Sequence, residues 1–186
     1  MRPDIHYEID LPAGVSAEVN GRLVAVKGPR GTVEKLLPSK KISITANDKI
    51  IIVGALKPTQ REKKLANTFR AHILHMVVGA LEGHMYKLKV CSGHFPMTAT
   101  VKGDTLEVKN FLGESKPRLL KLKQGAEVKV NGEEIVVESP NKEIAGQVAA
   151  DIEQLTRITN RDRRIFQDGI YITEKSKTRP IPEAAE

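Results

Sequence analysis

Apolar and polar positions alternate in a series of short runs near the start of the chain: SAEVN from Ser16, RLVAVKG from Arg22, TVEKLLP from Thr32, then ISITAN and KIIIVGA. Alternation sends successive side chains to opposite faces, which is the pattern of half-buried strands. Asn47-Asp48, between the last two runs, has the composition of a tight hairpin turn. After Lys57-Pro58-Thr59, a helix-capping region, the period changes. Leu65, Phe69, Ile73, Met76/Val77 and Ala80 recur at helical spacing and predict one long helix with a buried stripe. Gly83, in Leu81-Glu82-Gly83-His84, is placed to end that helix in a left-handed cap.

The same order of elements then returns. GRLVAVKGPRG from Gly21 aligns with GDTLEVKNFLG from Gly103 without a gap, Gly31 meeting Gly113, at an offset of 82 residues. ANDKIIIV meets VNGEEIVV with Asn47 over Asn131, and KLANTF meets QVAADI with Ala66 over Ala149, at offsets of 84 and 83. Drift of one or two residues is the mark of loop insertions and deletions. A period this long exceeds that of solenoid repeats and indicates a duplicated small domain. Ser139-Pro140-Asn141 opens the second helix, which carries Ile144, Val148, Ile152 and Leu155. Strands followed by a packed helix, twice over, give an α+β fold. Two tandem repeats are expected, each a small antiparallel β-sheet packed against one long α-helix. The first spans residues 1–82 and the second 83–158. A basic C-terminal extension, 159–186, is docked on the second repeat, with a flexible end.

Composition narrows the function. Hydrophobic residues make up 40% of the 186, enough for packed cores. Aromatics are 4% with no Trp, too few for a platform that stacks single strands. Thirty Lys/Arg against 23 Asp/Glu give a net charge of +7, which fits a polyanionic partner. The single Cys91 excludes an internal disulfide or a multi-cysteine zinc site and suits a reducing cytosol. No apolar run reaches the length of a signal peptide or a membrane span, so a soluble cytoplasmic protein without membrane contact is expected.

Candidate chemistry is sparse. His72 and His75 share a helix face, yet no third ligand stands near them in sequence, and they read as boundary histidines rather than a metal site. Cys91 and His94 lie too close along one strand end for a nucleophile pair and lack an orienting acid, so Cys91 reads as a strand-terminal core thiol. Gly28-Pro29-Arg30-Gly31 lacks the spacing of a phosphate-cradling loop and reads as a turn. No catalytic residue, cofactor or metal is expected.

The charge distribution says more. Residues 84–156 hold ten Lys/Arg and ten Asp/Glu, whereas residues 157–179 hold seven Lys/Arg against three Asp/Glu, a local net of +4. Arg157, Arg161, Arg163 and Arg164 lead this run, and the planar guanidinium fork suits phosphate. Tyr171, Lys175, Lys177 and Arg179 continue it. Ile165, Phe166, Ile170 and Ile172 are too apolar for a free tail and are expected to anchor the segment, with a turn at Asp168-Gly169. A second basic group, Lys109, Asn110, Phe111, Lys116 and Arg118, occupies the place of the Gly-Pro-Arg-Gly turn. Phe111 there suits either stacking on a base or sugar or burial.

Gln154, Ile158, Arg161, Arg164, Phe166, Asp168-Gly169, Tyr171 and Lys175 stand at a spacing that resembles the signature of large-subunit ribosomal protein six, in its archaeal and eukaryotic branch. Arg164-Ile-Phe-Gln-Asp-Gly-Ile-Tyr is the most specific part. IAGQVAADI, Ile144 to Ile152, resembles that family's second-domain helix, and VKGPRG its first domain. The resemblance implies a non-catalytic, monomeric constituent of the ribosome. It would bind large-subunit rRNA near the stalk base and the sarcin–ricin loop, beside neighbouring ribosomal proteins, and support the landing site of translational GTPases. It places most rRNA contacts on the second domain and the C-terminal extension. Glu183 and Glu186 depart from the lysine-rich ends of bacterial members. Competing readings are an RNA-binding module acting off the ribosome, a protein-only adaptor and, last, an enzyme.

Overall fold

In the computed structural model, which describes residues 4–47 and 49–176, the alternating runs are strands and the two runs of helical period are helices. The chain divides into two compact units, 4–83 and 84–176 among the described residues. The first begins with a strand that the alternating runs above did not include, β1 (Ile5–Asp10). It continues through β2 (Ser16–Asn20), β3 (Leu23–Gly28), β4 (Gly31–Leu36), β5 (Ser43–Ala46), β6 (Ile50–Ala55) and α1 (Gln60–Leu81). A single sheet per repeat was expected; instead the strands divide into two antiparallel three-stranded sheets, β1-β6-β5 and β2-β3-β4. One helix covers both. Val24, Val26, Ile51 and Val53 are fully buried from the sheets, and Phe69, Ile73, Val77 and Ala80 meet them from the predicted stripe of α1.

The helix boundaries follow from local chemistry. Thr59 precedes α1, and its N–H donates to the Glu62 carboxylate at 2.6 Å. Lys41 donates to the same carboxylate at 2.6 Å. These hydrogen bonds, Lys41 first, hold the Glu62 carboxyl at about 2. At the other end Gly83 takes φ +83°, the left-handed conformation that glycine adopts without penalty.

The second unit repeats the plan with additions. It contains β7 (His84–Cys91), β8 (Thr98–Lys102), β9 (Thr105–Lys109), β10 (Arg118–Lys121), β11 (Glu127–Asn131), β12 (Glu134–Ser139), α2 (Lys142–Leu155) and β13 (Gly169–Glu174). Asn141 caps α2, its side-chain oxygen accepting the Glu143 N–H at 2.9 Å. One sheet is β10-β9-β8. The other has four strands, β11-β12-β7-β13, because β13 pairs with β7 on the side where, among the described residues of the first unit, β1 has no strand partner. Its core joins Leu88, Leu106, Ile135, Val137, Val148 and Ile152 with Ile170 of β13. The N–H groups of Ile170 and Ile172 donate to Thr156 Oγ1 at 2.8 Å and Glu153 Oε1 at 3.1 Å. Side chains at the end of α2 thus occupy hydrogen-bonding positions that a bare edge strand would offer to another chain.

Two sequence expectations are corrected here. Gly31 and Gly113 are not equivalent: Gly31 begins β4 directly after a two-residue turn, whereas Gly113 lies in a short 3-10 segment, Phe111–Gly113, inside the 110–117 loop. Ile165 does not anchor its segment, because it is 65% exposed. Ile170 does anchor it at 1% exposure, while Phe166 is half-buried. Hydrophobicity alone could not separate these side chains, since only Ile170 falls on the inward side of a strand.

Candidate nucleic-acid interface

The chain leaves α2 at Thr156 and reaches β13 at Gly169, and the basic run lies between. Both ends of this connection are fixed. At its start, Thr156 is 3% exposed and its hydroxyl accepts from Ile170 N–H. At its end, Asp168 is a 3%-exposed carboxylate that accepts from Gly93 N–H at 2.7 Å and His94 N–H at 3.3 Å, with His94 Nδ1 also at 3.3 Å. Burial on its own would push the Asp168 carboxyl upward. The hydrogen bonds from Gly93 and His94, together with the imidazole beside it, outweigh that and hold it below the ordinary aspartate range. Asp168 does more than make the expected turn: it ties the basic segment to the loop after β7.

The middle of the connection is a stack. The His94 and Phe166 rings lie with centroids 5.0 Å apart and planes at 29°, and the Arg161 guanidinium lies 4.9 Å from the Phe166 centroid. Cation–π contact holds an arginine in place without neutralising it. Arg157, Arg161, Arg163 and Arg164 are all exposed. Arg164 pairs with Asp162 at 2.8 Å, yet its side chain is 89% exposed. So exposed an ion pair is screened by solvent and holds the arginine weakly, so that it can be exchanged for a phosphate. Tyr171 points its hydroxyl to Gln167 O, donating at 3.1 Å, and keeps 38% of its surface open. Lys175 is exposed beyond β13. Lys177 and Arg179 lie outside the described residues.

The second basic group fares differently. Phe111 is 1% exposed, so of its two readings burial holds and the ring is not available for stacking on a base. Arg118 is turned inward. Its Nε and Nη2 donate to the two Glu114 carboxylate oxygens at 2.9 and 2.6 Å, Nη1 donates to Leu155 O at 2.7 Å, and the guanidinium lies 4.3 Å from the Phe111 centroid. With all three nitrogens engaged and the side chain 28% exposed, Arg118 closes the end of α2 rather than reaching outward. Asn110, at φ +59°, donates to Pro96 O at 3.0 Å. Lys109, 3.6 Å from Glu107, and Lys116 remain exposed. The sequence-predicted residues therefore separate into an exposed arginine-rich connection and a loop whose two largest members are structural.

His94 and Asp168 were not expected to cooperate. Their separation of 74 residues concealed the pair, and the only signal was that both flank strands which prove to be neighbours. Among the described residues no group of His, Cys, Asp and Glu is arranged to hold a metal ion, and no helix is long and apolar enough to cross a membrane.

Comparison with known proteins bears on the same regions. The family model for ribosomal protein L6 matches twice, over residues 11–83 and 95–169, once in each unit. A large ribosomal subunit protein uL6 from Methanococcus vannielii is 45% identical over 172 residues, covering 92% of this chain and 94% of its own. That from Methanosarcina mazei is 42% identical over 176 residues, 95% of this chain and 100% of its own. One from Desulfurococcus amylolyticus is 39% identical over 173 residues, 91% and 94%. With tandem matches that fall one on each repeat, and relatives aligned over more than nine-tenths of the chain, the chain belongs to the ribosomal protein L6 family.

Proposed function

We propose that this chain is a structural constituent of the large ribosomal subunit, cytoplasmic and without catalysis, that holds large-subunit rRNA through the connection between α2 and β13. The observation that carries the reading is an exposed run of arginines on a backbone fixed at both ends, by Thr156 and by Asp168. Arg157, Arg161, Arg163 and Arg164 contact phosphates, with Lys175 extending the contact. Lys177 and Arg179 continue it along the sequence, and Lys109 and Lys116 form a smaller outlying contact. A fixed backbone matters because ordering a loose tail on binding would cost conformational entropy. In this reading the contact lies near the stalk base and the sarcin–ricin loop, where the protein supports the landing site of translational GTPases beside neighbouring ribosomal proteins; membership of the ribosomal protein L6 family is what supports it.

The protein is expected to sediment with large subunits through a high-salt wash. Replacing Arg161 and Arg164 by Ala should weaken binding to deproteinised large-subunit rRNA and flatten its salt dependence by about one unit of slope for each charge removed. Unchanged affinity and slope would exclude the arginine run as the binding surface.

A further inference from the structure

The exposed isoleucine of the basic run has a neighbourhood of its own. Ile165, Arg163, Gln167 and Tyr171 line one side of an open hollow of about 660 Å³, and Cys91 and His94 line the other. Phosphates recognise charge and hydrogen-bond donors; they gain nothing from an isoleucine that leaves 65% of its surface in water. An aliphatic side chain and a half-open tyrosine ring lining the same hollow offer instead apolar surface of the kind a base face covers. Around that surface are the groups a nucleotide needs at its edges. Arg163 supplies a guanidinium for the phosphate, and the Gln167 side chain supplies an amide with both donor and acceptor capacity for a base edge. The Asp168 carboxylate also lines the hollow; its oxygens accept from the Gly93 and His94 N–H groups, and the phosphate is therefore assigned to the Arg163 side and not beside it.

The walls are held in place. The Tyr171 hydroxyl is fixed on Gln167 O, and His94 is fixed between Asp168 and the Phe166 ring. A hollow kept open by such contacts takes a ligand without first reorganising. Sequence-specific recognition of RNA commonly works on bases splayed out of a helix, stacked on side chains and hydrogen-bonded at their edges.

We propose that the hollow between the loop after β7 and the arginine-rich connection seats a single unstacked nucleotide of the rRNA, its base against Ile165 and Tyr171 and its phosphate on Arg163. This rests on the reading of the chain as an rRNA-binding protein, and it adds a base contact to what is otherwise attachment through phosphates.

Two kinds of loss separate the two readings. Ile165→Ala trims a side chain that is 65% exposed and lies outside the buried core; Tyr171→Leu keeps bulk on β13 but removes the ring. Binding of the full chain to deproteinised large-subunit rRNA should weaken about fivefold or more in each variant, in keeping with what loss of a base contact does elsewhere, with the salt slope unchanged. Arg163→Gln should lower both affinity and slope. If Ile165→Ala and Tyr171→Leu bind as the parent does while the arginine variants lose affinity, the rRNA is held by phosphates alone and the nucleotide seat is overturned, with the proposed function intact. If no variant loses affinity, both fail. Cys91, the one cysteine of the chain, lines the hollow and gives a direct readout. A short photo-cross-linker on its thiol, in reconstituted large subunits, should join a single rRNA nucleotide. Cross-links to a neighbouring protein, or spread over many nucleotides, would also overturn the seat.

Discussion

The two repeats meet the same problem at the same place and solve it differently. In both, the connection after the third strand must close against the carbonyl end of the helix. In the first, a two-residue turn carries Arg30 to α1, whose 22 residues reach far enough for the Arg30 backbone N–H to donate to Ala80 O at 3.0 Å. The chain can come this close because Gly28 has no side chain; a Cβ there would stand 2.5 Å from Ala80 O. In the second, α2 has only 14 residues, and the eight-residue loop 110–117 leads to Arg118, whose guanidinium reaches Leu155 O while Phe111 enters the core. A short helix is met by a longer arm. Equivalent positions in a duplicated chain thus share a task and not a chemistry, because the same unpaired helix carbonyl accepts from a backbone N–H or a side chain equally well.

The most severe break in this comparison is physical separation. We propose that each repeat is an independent core, since each has its own cluster of buried side chains. A fragment beginning at His84 and keeping β13 should then unfold in one cooperative thermal transition. A fragment with no transition would show that the cores depend on one another.

Next in size is Phe111→Ala, which should destabilise the second repeat by about 3–5 kcal/mol, as for a fully buried ring. Denaturant unfolding measures this, and a loss below about 1 kcal/mol would contradict burial. Gly28→Ala is the counterpart in the first repeat and should cost about 1–3 kcal/mol, the usual range for forced overpacking.

The two arginines sharpen the contrast further. Arg118→Ala leaves Leu155 O and Glu114 without their donor and should cost about 1–3 kcal/mol. Arg30→Ala keeps its N–H and should stay within about 0.5 kcal/mol. Equal effects would mean that the two closures do not differ as described.

The smallest effect is in acid. The Asp168 carboxyl is held below its ordinary 3.8 by its hydrogen bonds, despite its burial. Its contribution to the second repeat is therefore fully present above that value and is lost as pH falls through the lower folded one. Asp168→Asn should flatten the second fragment's loss of stability below about pH 4. In the first repeat the matching loss at Glu62 begins as pH falls through its ordinary 4.5 and runs down to about 2. An unaltered acid profile in the variant would remove Asp168 as the cause.

Much of the architecture could be read from the chain. Alternation and helical period are local properties, so β2 to β6, the stripe from Phe69 to Ala80, the cap at Gly83 and the offset between the two copies were all visible without a structure. So was the charge excess after α2, because charge is additive along a sequence, and so was the family, whose signature is a contiguous run. β1 was missed although its pattern was present: Ile5, Tyr7 and Ile9 alternate with His6, Glu8 and Asp10, and the three apolar positions are the more buried ones.

What only the tertiary structure decided was where each side chain of an irregular segment points. Ile165 and Ile170 are the same residue type five positions apart, yet one lies open to solvent and the other is core, because only the second sits on a strand whose inward face is fixed by pairing with β7. Phe111, whose pattern allowed either stacking on a base or burial, is buried, and Arg118 packs over its ring and donates to Leu155 O at the end of α2. Asp168 looked like a turn residue and is a buried tie to a loop 74 residues earlier. Local pattern specifies the elements, since each depends on neighbours a few residues away. The orientation of a loop side chain depends on partners distant in sequence, and only the folded chain brings them within reach.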